Sequence, residues 1–183
     1  MNKQRKNPEF AACGLNCGLC PRYYTVGSSR CPGCAGEGFT EVHPTCGILS
    51  CCQRKGIEFC FECNDYPCKK YEGADLTDSF ITHRNQISDM EKAKNIGVGV
   101  YIDELKEKMI LLEELLQKYD DGRRKGYYCL SVNLLELSDI KDVMEKIDNK
   151  ANKNMSVKEK AKIVVDLFNG KAEEKGITLK LRK

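Results

Sequence analysis

Eleven of the chain's twelve cysteines lie between Cys13 and Cys68, in groups whose spacing suits a shared metal ion. They read Cys13-x3-Cys17-x2-Cys20, Cys31-x2-Cys34, Cys46-x4-Cys51-Cys52 and Cys60-x2-Cys63-x4-Cys68, and only Cys129 stands apart. Two thiolates separated by two residues can reach one ion from a single tight turn, and several such turns can close a tetrahedral site.

The surrounding residues strengthen this constraint. Residues 13–72 hold four of the five prolines, and their apolar positions (Leu15, Leu19, Tyr23, Ile48, Phe59 and others) follow no long period. Such a segment buries too little apolar surface to offset its own conformational entropy. A structural zinc ion contributes on the order of 10–16 kcal/mol to small domains and would make up the deficit.

The later residues read as helix. Ile102, Leu105, Met109, Leu112, Leu115, Leu116 and Tyr119 form a stripe of period 3.6 over Tyr101 to Tyr119, stopped by Asp121-Gly122. Three more helices are predicted: Asp78 to Lys94, with its stop near Gly97; Asp139 to Ile147, capped by Ser138; and one opened by the capping box Ser156-Val157-Lys158-Glu159, ending near Gly170. Residues 126–137 fit strand or helix equally, and residues 177–183 a short strand or a frayed tail. The fold class is therefore mainly α: an irregular, cysteine-rich, metal-stapled N-terminal region packed on a C-terminal helical region of about four helices. The expected boundaries are 1–72 for the metal-binding region and 73–183 for the helical region.

Cys31-Pro32-Gly33-Cys34 has the form of a zinc knuckle, since proline fixes one backbone angle and glycine admits a tight approach. A redox dithiol would need a preceding strand and a long following helix, which the sequence lacks. Cys13-x3-Cys17-x2-Cys20 matches the cluster-binding fingerprint of radical S-adenosylmethionine enzymes, but too few residues follow to build their barrel. Radical catalysis is excluded on that ground, while three thiolates with a fourth from elsewhere suit either zinc or an iron–sulfur cluster. His43, three residues before Cys46, is a further candidate ligand, whereas His83 reads as an ordinary helix-face residue. The expected metal ligands are Cys13, Cys17, Cys20, Cys31, Cys34, His43, Cys46, Cys51, Cys60, Cys63 and Cys68, shared between two sites. Cys52 stays outside this set because adjacent side chains diverge, and Cys129 reads as a small buried hydrophobe.

These residues also carry a resemblance. Cys13-Gly-Leu-x-Cys17-x-x-Cys20-Pro21, Cys31-x-Gly33-Cys34, Cys46-x-Ile48-x-x-Cys51, Gly56, Cys60-x-x-Cys63 and Tyr66-Pro67-Cys68 resemble an uncharacterised group of cysteine-rich prokaryotic proteins, domain-of-unknown-function family 3795. The resemblance spans roughly the first 72 residues and implies a metal-binding fold, with zinc as the metal and no assigned activity. His43 stands where the family pattern would place another cysteine, and Cys52 is additional to that pattern. A Cys-to-His exchange is common at zinc and unusual at a [4Fe–4S] cluster.

The remaining features narrow the function. Over residues 13–72, Arg22, Arg30, Arg54, Lys55, Lys69 and Lys70 are matched by Glu37, Glu41, Glu58, Glu62, Asp65 and Glu72, and the whole chain carries only +3, which argues against nucleic acid. No stretch has the length of a membrane span, and no secretion signal follows Met1, so a cytoplasmic, thiol-reducing location is expected. No catalytic triad, HExxH motif or phosphate-binding loop is present in the sequence. The sequence-based expectation is thus a Zn2+-binding protein with structural sites, serving as an interaction or scaffold module for an unknown protein partner. The alternative is an iron–sulfur ([4Fe–4S]) electron-transfer protein.

Overall fold

The computed structural model describes residues 4–183, which are mainly helical with no β-strand among them. Seven α-helices follow in order: α1 (Phe39–Val42), α2 (Gly47–Lys55), α3 (Gln86–Ile96), α4 (Val98–Lys118), α5 (Lys125–Leu134), α6 (Leu137–Lys150) and α7 (Val157–Glu174). Two compact units emerge. One runs to Leu105 and regains Leu181–Lys183, and the other is Lys106–Lys180. The division falls inside α4.

In the first unit the irregular cysteine segment packs on α3 and the opening of α4. Phe10 is fully buried at the centre, its ring 5.3 Å from that of Phe59 and 4.7 Å from that of Tyr101. The Tyr101 hydroxyl donates to Asn16 Oδ1 at 2.9 Å, and Asn16 Nδ2 donates to Asp89 Oδ2 at 2.8 Å. These buried polar groups satisfy one another and fix the register of the loop on the helices. Gly14 lets the backbones touch: with φ +90°, an added Cβ would lie 2.3 Å from the Gln86 carbonyl oxygen. A second apolar cluster within this unit is made largely of small side chains and sulfur, including Ala11, Ala12, Cys13, Cys31, Cys34, Ala35 and Cys52.

Helix α3 starts at Gln86, eight residues later than the Asp78 start read from the sequence. The reason is Asp78 itself. Its buried carboxylate accepts the His83 N–H at 2.8 Å, the Arg182 N–H at 2.8 Å and Arg182 Nη2 at 2.9 Å. A side chain bonded to distant backbone holds residues 78–85 out of the helix. His83 therefore precedes the helix instead of lying on its face, with its ring between Ser79 Oγ and the Ala74 carbonyl. The last residues form no strand; Arg182 ties them to Asp78 and to the Asp75 carbonyl.

The second unit is a helical bundle. Leu112 and Leu115 from α4, Tyr128 and Val132 from α5, Ile140 and Ile147 from α6, and Val164 and Phe168 from α7 are all buried. The Tyr128 hydroxyl donates to the Tyr119 carbonyl at 2.9 Å, and Lys108 Nζ to the Leu135 carbonyl at 2.8 Å. The segment that fitted strand or helix is α5, which raises the helices after residue 73 to five. Cys129 is buried on α5, as a small hydrophobe should be.

Helix α7 opens on the expected capping box: Ser156 Oγ accepts the Glu159 N–H, and the Glu159 carboxylate accepts the Ser156 N–H at 2.8 Å. It continues through Gly170 to Glu174, because an exposed glycine costs a helix only about 1 kcal/mol. Helix α6 begins at Leu137, so Ser138 lies in its first turn and Glu136 holds the capping position. No helix among the described residues is long and apolar enough to cross a membrane.

Candidate functional site

Two of the Cys-x2-Cys pairs have the same local build. Cys17–Leu19 and Cys60–Glu62 are single 3₁₀ turns, and each ends on a cysteine whose N–H returns to the carbonyl of the first, Cys20 to Cys17 at 3.1 Å and Cys63 to Cys60 at 3.0 Å. The closing cysteines share nearly one conformation, φ/ψ −84°/137° for Cys20 and −88°/135° for Cys63. In the second turn the Glu62 carboxylate accepts the Phe59 N–H at 2.7 Å and the Glu58 N–H at 3.1 Å, fixing its start.

The Cys31–Cys34 turn is fixed by a close approach. Gly33 has φ +88°, and an added Cβ would lie 2.4 Å from the Pro8 carbonyl oxygen, the atom that accepts the Cys34 N–H at 2.7 Å. Cys46 caps α2, its sulfur accepting the Leu49 N–H at 3.5 Å. The same helix carries Cys51 and Cys52, of which Cys52 is 2% exposed and Cys51 half-buried.

The thiols fall into two neighbourhoods. Burial raises the Cys17 thiol well above its ordinary value, followed by the proximity of Cys34, Cys13, Cys20 and Cys31. Burial pushes Cys13 up to about 12, against a hydrogen bond from the Leu15 N–H, and Cys34 and Cys46 lie close enough to add to the rise. Cys20 and Cys34 are also raised by burial. The N–H groups of Arg22 and Tyr23 oppose the rise at Cys20, and Arg5 and the Ala12 N–H oppose it at Cys34. Cys13, Cys17, Cys20, Cys31, Cys34 and Cys46 thus share one neighbourhood.

Cys51, Cys52, Cys60, Cys63 and Cys68 line a single cavity of about 430 Å³. There the Cys52 and Cys60 sulfurs are 3.5 Å apart. The hydrogen bond from Cys52 is the main force that lowers Cys60 to about 6, helped by the Tyr71 hydroxyl and the charges of Arg5 and Lys55; the same bond raises Cys52. Lys55 Nζ lies 2.9 Å from Cys63 Sγ and 2.9 Å from Asp65 Oδ2.

None of the twelve cysteines forms a disulfide. Their donor chemistry suits a soft or borderline cation. Among the described residues, however, no three His, Cys, Asp or Glu side chains converge closely enough to form a ready ligand set. His43 is exposed; its ring stacks on Phe39 at 4.5 Å, and Nδ1 pairs with the Pro44 carbonyl at 2.8 Å.

Three important residues carried no signal in the sequence. Arg5, whose side chain is only 7% exposed, donates to the Phe10 carbonyl at 2.8 Å, lies 4.7 Å over the Phe59 ring, and acts on thiols of both neighbourhoods. Tyr71 joins the two through its hydroxyl, which donates to the Cys13 carbonyl at 3.3 Å and also faces Cys60. Lys55 is the third. A basic or aromatic residue near a cysteine in sequence is unremarkable, and only folding shows which of them face sulfur.

The fold and site define a mainly helical protein whose irregular N-terminal segment is organised around clustered thiols. Residues 9–73 match the model of a family described as "Protein of unknown function (DUF3795)". The resemblance drawn from the cysteine spacing holds over that segment. No curated protein and no solved structure matches the chain.

Proposed function

We propose that the cysteine-rich segment is a zinc-binding module in which the metal is structural. The observation that carries this reading is the set of backbone N–H groups aimed at sulfur. Leu49 donates to Cys46 at 3.5 Å, and the N–H groups of Leu15, of Ala12, and of Arg22 and Tyr23 act on Cys13, Cys34 and Cys20 in the direction that favours thiolate. Such bonds stabilise thiolates, the form that binds metal. A cluster of thiolates in one buried neighbourhood needs a cation to offset its charge, and Arg5 supplies only one.

One four-coordinate site would draw its donors from Cys13, Cys17, Cys20, Cys31, Cys34 and Cys46. Cys51, Cys60, Cys63 and Cys68 would supply those of a second, and His43 is the remaining candidate. Zinc would draw these sulfurs together and contribute folding free energy that the small cluster of alanines and cysteines lacks. Closed thiolate sites leave no coordination position for a substrate, so the reading is of a binding or scaffold module in a compartment that keeps thiols reduced.

Elemental analysis of protein purified without oxygen tests it, with a thiol count on the same sample. Zinc retained through gel filtration, a colourless solution, and a melting temperature that falls on chelation are expected. Iron with acid-labile sulfide and a brown colour would replace zinc with the iron–sulfur alternative.

A further inference from the structure

Cys52 takes no part in the ligand set just proposed, yet it is among the most buried cysteines of the segment and has another sulfur 3.5 Å away. Two sulfurs in van der Waals contact need to move only about 1.5 Å to reach the bonded separation of roughly 2.05 Å. The second sulfur, that of Cys60, belongs to a less buried residue, and both residues line the cavity of about 430 Å³. One thiol is therefore reachable from a cavity, with a second, sheltered thiol against it. That pairing suits an attacking and a resolving cysteine.

We propose that Cys52 and Cys60 form a thiol–disulfide exchange site whose co-substrate is a low-molecular-weight disulfide entering the cavity they line. The Cys60 thiolate attacks one sulfur of the disulfide RSSR, forming a Cys60–SR mixed disulfide and expelling RS⁻. The Cys52 thiol gives its proton to that departing thiolate and attacks Cys60 Sγ. The Cys52–Cys60 bond forms, the Cys60–SR bond breaks, and a second RS⁻ leaves and takes a proton from water. One RSSR is reduced to two RSH, and two protein thiols become one disulfide. Cys51 and Cys63, the latter engaged by Lys55, stay outside the exchange.

Oxidised glutathione serves as the probe, on full-length protein as isolated under reducing conditions and then freed of reductant. Trypsin cuts at Arg54 and Lys55, so Cys52 and Cys60 fall on separate peptides. After oxidation, blocking of free thiols and digestion, mass spectrometry should find those two peptides joined. Cys51→Ser should keep the cross-link. Cys52→Ser should lose it and accumulate glutathione on Cys60, which shows at once that this variant is folded enough to react. A cross-link that survives Cys52→Ser, or no glutathione on Cys60 in that variant, overturns the proposal. Zinc measured on the reduced samples, before oxidised glutathione is added, separates the two readings. Zinc without a cross-link removes the exchange site alone, whereas a cross-link in zinc-free protein supports the exchange site and removes the metal reading.

Discussion

Gly33→Ala should unfold the cysteine-rich unit more readily than Gly27→Ala, although the two glycines have nearly the same backbone conformation. Gly33 has φ +88° and Gly27 has φ +90°. Any L-residue in the left-handed half of conformational space costs roughly 1–2 kcal/mol, and both substitutions incur that cost. The surroundings differ. An alanine methyl at position 27 meets nothing within 4 Å, whereas at position 33 it lies 2.4 Å from the Pro8 carbonyl oxygen and 2.7 Å from its carbon. That carbonyl must retreat beyond 3.0 Å, and it is the acceptor of the 2.7 Å hydrogen bond from the Cys34 N–H. Losing that bond costs about 0.5–1.5 kcal/mol, and residual overpacking about 1 kcal/mol more. The expected gap is therefore about 1–3 kcal/mol, read as the difference in urea midpoints by circular dichroism at unchanged slope. The Gly33 variant should also retain less metal, since the displaced turn carries two candidate ligands. Equal midpoints for the two variants would refute the claim that the close approach of Pro8 shapes this turn.

Two further perturbations probe the buried charges. Arg5→Ala should raise the pH at which Cys60 becomes reactive above about 6, because it removes a positive charge that favours the thiolate; the pH dependence of alkylation at Cys60, read by peptide mass spectrometry, measures the shift. Burial alone would raise the Asp78 carboxyl, but the hydrogen bonds from Arg182 and His83 prevail and hold it well below the usual carboxylate range. A depressed carboxyl stabilises the fold fully above its unfolded value of about 3.9 and loses that contribution as pH falls below it. Asp78→Ala should cost about 3 kcal/mol at neutral pH, the low end for a buried ion pair because Arg182 is one-third exposed, and should flatten the acid limb of a stability curve followed by circular dichroism.

Helices were legible wherever local signals acted alone. The stripe from Ile102 to Tyr119 gave α4, and the capping box at Ser156 gave the start of α7. They misled where a distant partner decided the outcome. Asp78 looks like a helix opener, but it is bonded to Arg182, more than a hundred residues away, and no local pattern encodes that contact. Phe10, the centre of the first unit's core, lies before the first cysteine in a stretch with no periodicity at all. Residues 126–137 hold β-branched and aromatic side chains that suit either secondary structure. Only burial of Tyr128, Val132 and Leu135 among the other helices selects α5, a tertiary effect that overrides propensity.

The candidate site shows the same division between what spacing conveys and what folding adds. Spacing identifies which cysteines can act in pairs, because a two-residue gap lets one tight turn carry both; the Cys17 and Cys60 pairs close it as 3₁₀ turns, while the Cys34 N–H goes to the Pro8 carbonyl instead. Spacing does not identify which pairs share a neighbourhood. That grouping depends on contacts such as Cys60 N–H to the Ala12 carbonyl at 2.9 Å and Cys34 N–H to the Pro8 carbonyl, which are set by residues with no chemistry of their own. It also reverses the standing of Cys52. Adjacency to Cys51 marks Cys52 as the cysteine least suited to bind metal, and the same adjacency on a helix is what turns it inward against Cys60. A thiol that adjacency leaves outside the expected ligand set, yet 3.5 Å from one of its members, is placed to react with that member, so the feature that weakens Cys52 as a ligand is the one that suits it to the proposed exchange.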